Sequence, residues 1–150
     1  MAIYTNDGIY LAAVMRDHLN SWEDRPADFM LEDLGTKVPS LMLQQLASAE
    51  KKKAYVNGSY IGTWSFAVYI RVNGRDTNTR LDATATLIDL AKWLTFQSDS
   101  GAYVNLPFID RQRRATKIEM TTTPSIAARY DGGIEDYQAV FQLEYQVRRT

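Results

Sequence analysis

Between Asp136 and Arg149 every second residue is apolar or aromatic: Tyr137, Ala139, Phe141, Leu143, Tyr145 and Val147. The residues between them are Gln138, Val140, Gln142, Glu144, Gln146 and Arg148. A period of two is the pattern of a β-strand with one buried face. Each buried aliphatic or aromatic side chain contributes roughly 1.5–3 kcal/mol, so this stretch alone could supply on the order of 10 kcal/mol. A slip of one residue would turn Gln142, Glu144 and Gln146 into the core, which fixes the register. Whatever else the chain does, it must build a core against one side of this strand.

The preceding segments supply the other layer. Thr5, Asn6 and Asp7 are each able to cap a helix, and Leu11, Val14, Met15, His18, Leu19 and Trp22 follow at steps of three and four. Pro26 is expected to end that helix. Glu23 to Lys37 reads as an acidic connection bracketed by Gly35 and Pro39, with a short helical turn near Phe29–Leu34. Val38 to Leu46 reads as a strand whose period is blurred by Met42. Asn57-Gly58, between apolar flanks, predicts a hairpin with a type I′ turn. A long strand leaves it, with Tyr60, Trp64, Phe66, Val68, Ile70 and Val72 on one parity. Thr63, Ser65, Ala67, Tyr69 and Arg71 take the other, and Asn73-Gly74 closes it.

A second helix is predicted over Thr79–Phe96, opened by a capping box of Thr79 and Asp82. Its buried face would be Leu87, Ile88, Ala91 and Leu94, beside Ala83 and Leu90. Ser98 to Pro107 is loop. Lys117 to Tyr130 alternates again, with Glu119, Thr121, Thr123, Ser125 and Arg129 opposite Ile118, Met120, Ile126, Ala128 and Tyr130. Pro124 places that strand at an edge or in a bulge, and Asp131-Gly132-Gly133 turns the chain into the last strand. The sum is one α+β domain over residues 1–150. It is a mainly antiparallel sheet of four to five strands with two helices packed on one face.

Composition excludes several chemistries. The net charge is −1 with a pI near 5.8, so there is no global basic footprint for nucleic acid. The absence of cysteine removes disulfides and thiolate metal sites. The first eight residues do not read as a signal peptide, and no apolar window reaches the roughly 18 residues of a membrane span. No nucleophile elbow or phosphate-binding glycine loop is present. His18, the single histidine, reads as a core or boundary residue of its helix stripe. Glu23, Asp24, Asp28, Glu32 and Asp33 lack the spacing of a calcium loop and read as a solvated acidic segment. Catalytic residues, metal ligands and cofactors are therefore not expected.

Two basic runs, Lys51-Lys-Lys53 and Arg111-Gln-Arg-Arg114, flank strands, where positive charge protects an edge from aggregation. Arg111, Arg113 and Arg114 could instead meet phosphates or an acidic protein. The polar strand faces carry more information. Ser65, Ala67, Thr121, Thr123, Ser125, Gln138, Gln142 and Gln146 are small or uncharged, which suits a surface facing another protein subunit. An ordinary Thr/Gln-rich solvent face is the competing reading.

Tyr55-Val-Asn-Gly-Ser59, Trp64-Ser-Phe66, the helix ending at Trp93-Leu94 and Asp136-Tyr-Gln-Ala-Val-Phe-Gln-Leu-Glu-Tyr145 occur in an order that resembles the siphophage tail terminator (minor capsid protein) family. The resemblance runs from about Val38 onward and rests on hydrophobic patterns and turns. It implies an α+β fold with helices on one side of a sheet. It also implies a non-enzymatic virion role at the head-proximal end of the tail, after assembly in the host cytoplasm. The expected partners are sister copies in a ring, usually a hexamer, the tail tube protein and the head–tail connector. The alternative is a head–tail joining protein that contacts DNA or the connector through Arg111–Arg114. The Glu50–Lys53 loop is more basic than the resemblance leads one to expect and takes no role from it.

Overall fold

A computed structural model describes residues 3–34, 37–74 and 77–149. Met1, Ala2 and the Gly35 named above as a loop bracket lie outside them. The elements are α1 (Asp7–Leu19), β1 (Phe29–Leu31), β2 (Ser40–Gln45), β3 (Glu50–Ala54), β4 (Tyr60–Asn73), α2 (Thr77–Thr95), β5 (Arg113–Arg129) and β6 (Ile134–Val147). They form an α+β fold whose sheet runs β1-β2-β4-β6-β5. β3 pairs with the first part of β4, on the edge that β2 occupies further along. Only β1 and β2 are parallel; the other pairs are antiparallel.

The core follows from the two long alternating stretches. β4 and β6 pair along their whole length, and Phe66 lies opposite Phe141 with the rings stacked 5.4 Å apart. Trp64 stacks on Phe66 at 5.1 Å. Leu11, Met15 and Leu19 of α1, and Leu87, Leu90 and Leu94 of α2, close over this face and are all buried. Both helices therefore cover the same side of the sheet, as the two parities require.

Several local expectations are corrected. Phe29–Leu31 is a strand, not a helical turn, because the Asn20 amide clamps it. Phe29 N donates to Asn20 Oδ1 at 2.6 Å and Asn20 Nδ2 donates to the Phe29 carbonyl at 3.2 Å. The same Asn20 is the C-cap of α1, which ends at Leu19 rather than at Pro26. Trp22 still reaches the core from the turn beyond.

α2 begins at Thr77, so Thr79 and Asp82 lie inside the helix and form no capping box. Ile88 is exposed, and Leu90 takes its place in the core. The Asn57-Gly58 hairpin forms, but only Gly58 has positive φ, at 88°, which rules out type I′. Gly58 N donates to the Tyr55 carbonyl at 3.1 Å, giving a turn followed by a left-handed glycine. Among the described residues six strands are present where four to five are expected, since β1 was hidden in the acidic connection.

β5 departs most from simple alternation. It is an edge strand as Pro124 requires, and its pairing with β6 shifts at four places, one of them spanning Pro124. The shifts reset the parity. Thr122, not Thr121, lies opposite Val140, and Arg129 lies opposite Glu135.

Candidate functional site

Residues directly opposite in antiparallel strands share a face, so the register defines the side of the sheet away from the helices. Its middle is built from Ser65 opposite Gln142, Ala67 between Gln44 and Val140, and Tyr69 between Met42 and Gln138. None of these is charged. Ser125 joins them opposite Gln138. Thr121 and Thr123 sit at the β5 register shifts beside this row, both exposed, with Thr121 Oγ1 donating to the Val140 carbonyl at 3.3 Å. Gln146 lies at one end of the face, between Ile61 and Arg114. Neither helix packs on this side.

Charge gathers toward the two ends of the face, with Glu119 on β5, opposite Gln142, as the exception in a middle row. At one, Lys52 Nζ lies 2.7 Å from Glu144, and Lys117 pairs with Glu119. At the other, Arg71 grips Asp136 with a fork of 2.8 and 3.0 Å, while the Tyr130 hydroxyl donates to the same carboxylate at 2.9 Å. Beside that pair is an open trough of about 570 Å³ lined by Met42, Gln44, Tyr69, Arg71, Tyr130 and Gln138. Glu135, one residue along and on the helix side, accepts from Arg80 and Arg129 at 2.9 Å each and from the Tyr137 hydroxyl at 3.1 Å. Paired and hydrogen-bonded in this way, two buried carboxylates are tolerated side by side.

The three arginines of the Arg111–Arg114 run separate into two kinds. Arg113 is committed inward: its Nε donates to Asp7 Oδ1 at 2.8 Å and its Nη1 to Asp110 Oδ2 at 2.7 Å. Arg111 and Arg114 are exposed, and among the described residues no carboxylate pairs with them. A phosphate-contacting loop would therefore have two available guanidinium groups rather than three.

Asp7 is the residue that sequence reasoning misjudged. It looked like one of three possible caps, yet it is buried, and Asn6 holds the cap position without a side-chain bond. Asp7 Oδ2 accepts from Tyr60 at 2.5 Å, Tyr145 at 2.8 Å and Thr5 Oγ1 at 3.0 Å. Burial pushes its carboxyl up, but these donors and Arg113 outweigh that and hold it below the usual aspartate value. Burial and the same carboxylate push the Tyr60 phenol up to about 12 and raise that of Tyr145. Tyr145 reaches Asp7 by crossing Gly62 on the next strand, where a Cβ would fall 2.6 Å from its hydroxyl oxygen. No local signal could reveal this cluster, since Asp7 meets residues 53 and 138 positions away.

His18 donates from Nε2 to the Asn105 carbonyl at 3.0 Å and stacks on Trp93 at 4.9 Å, as a boundary residue of α1 would. Burial lowers its pKa against the opposing effect of that carbonyl. In the acidic segment, Asp28 pairs with Arg25 at 3.0 Å and Glu32 accepts from the Gln45 backbone at 2.8 Å. Among the described residues no group of three or more carboxylates and histidines could hold a metal ion. No helix among them is long and apolar enough to cross a membrane.

No family model matches the chain, and no curated protein matches it. Solved structures do. A chain from the virion of a native gene transfer agent particle aligns over 94% of this chain and 98% of its own, with a TM-score of 0.57 at 10% identity. The two share a fold. A second solved chain aligns over 97% of this chain and 99% of its own at 17% identity, but its TM-score of 0.41 carries no argument.

Proposed function

We propose that this protein is a non-enzymatic structural component of a virion, and within it a tail terminator: a ring subunit that caps the completed tail tube and joins it to the head-side connector. The observation that carries the reading is the long sheet with helices on one side and a weakly charged, uncovered middle on the other. Such a surface suits a neighbouring subunit, because charge is depleted where protein interfaces are fully buried. The end-to-end likeness to a virion chain and the sequence resemblance to tail terminators support the same role. A ring is a closed head-to-tail assembly in which each copy presents two different patches, and closure stops growth.

Electron microscopy of the purified protein, alone and mixed with tail tubes, tests this. Rings, free or seated on one end of the tube, are expected. A protein that forms no ring and leaves tube ends bare would overturn the proposal.

A further inference from the structure

The molecule carries an apolar knob and an apolar hollow at opposite ends, two arginines beside the first and an aspartate in the lining of the second. The knob is Phe108, 83% exposed, held beside Arg114 at the free edge of β5 by an isolated bridge. Exposed Arg111 and Arg114 fringe it. Its base is rigid: Asp110 Oδ1 accepts from the Gln112 backbone at 2.9 Å and the Arg113 backbone at 2.6 Å, while Arg113 is anchored to Asp7. A large apolar side chain exposed on such a segment is a feature of docking surfaces.

The hollow, about 270 Å³, lies between α2 and the far end of β4 and is lined mainly by Pro26, Val38, Pro39, Ile70, Val72 and Ala83. Asp82 is part of the lining, and Glu23 and Asp24 stand just before Pro26. Among the described residues no cation pairs with these three carboxylates; Arg25 is taken by Asp28, and Lys37 is the cation next to Val38. Val72 is twelve residues along β4 from Tyr60, which lies in the cross-strand row of Arg113, so knob and hollow are roughly 40 Å apart. One copy cannot fill its own hollow, but the next copy can.

We propose that neighbouring copies join head-to-tail by seating Phe108, with Arg111 and Arg114 around it, in the apolar hollow beside α2 that Asp82 helps to line. The contact uses two different patches, the kind that closes into a ring. It rests on the ring reading above for its closure.

The chain has no cysteine, so engineered pairs report cleanly. Phe108→Cys and Thr86→Cys, mixed in equal amounts and oxidised with and without tail tubes, are expected to give a disulfide-linked dimer that neither variant gives alone. Phe108→Asp is expected to weaken assembly by on the order of thirtyfold, the scale of a central interface residue, with an unchanged melting curve. Rings in micrographs without that mixed cross-link would overturn the contact and leave the ring standing. No assembly of any kind by the unsubstituted protein would remove both. If Phe108→Asp assembles normally while Arg111→Gln and Arg114→Gln abolish salt-sensitive DNA binding, the basic end serves nucleic acid and the contact is wrong.

Discussion

The two faces of the β4–β6 ladder are made from the same two strands, yet they are different materials. Toward the helices, Trp64, Phe66, Phe141 and Leu143 are no more than 1% exposed. On the other side Ser65, Gln142, Val140 and Gln138 remain partly accessible, and most of the charge lies toward the ends. A difference of one residue in register separates a surface that stabilises the monomer from one that contributes little to it. Burial on the first face accounts for folding, which leaves the second free to be selected for contact.

That contrast is open to attack from both sides. The largest effect is expected from Phe141→Ala, which empties the centre of the stacked aromatic row and is expected to cost about 3–5 kcal/mol by denaturant unfolding. A loss under 1 kcal/mol would show that the helix side is not the seat of stability.

Next comes Asp7→Ala, which leaves two buried phenols and the Arg113 Nε without their acceptor and is expected to cost about 3 kcal/mol near neutral pH. Its pH dependence has a definite sign. The folded carboxyl lies below its ordinary value, so its contribution is complete above the unfolded value near 3.9 and is lost as pH falls through the lower folded value. The gap in melting temperature between parent and variant is therefore expected to narrow as pH drops from about 5 to below 3. A gap constant across that range would remove Asp7 as the acid-sensitive group.

A smaller loss, about 1–3 kcal/mol, is expected for Gly62→Ala, because the added methyl must displace the Tyr145 ring. Pairing it with Tyr145→Phe tests whether the phenol's route across Gly62 is the reason; fully additive losses would count against that. The smallest effect belongs to the uncovered face. Gln142→Lys is expected to change monomer stability by under about 0.5 kcal/mol while reducing assembly measured by light scattering with tail tubes. Normal assembly would break the link between this face and partner contact.

How legible all this was differs by element. Tyr137 to Val147 and Tyr60 to Val72 announce their strands because alternation over a dozen residues has one physical meaning, and the uncovered face comes with them. Phe29–Leu31 was not readable, since three residues carry no period and the strand exists through Asn20 and β2. The β5 parity failed for a related reason: bulges leave no mark in composition yet put Thr122, not Thr121, opposite Val140. Within Arg111–Arg114, nothing local distinguishes the arginine that is buried against Asp7 from its two solvent-facing neighbours.

By itself the sequence determined the class of fold, the identity of the core and the existence of a weakly charged sheet face, because periodicity dictates which side chains leave water together. Only the tertiary structure decided that Asp7, Tyr60, Arg113 and Tyr145 form one cluster and that Phe108 and the α2 hollow lie at opposite ends. Those relations join residues tens of positions apart, and the spacing between them is set by packing rather than by any local preference of the chain.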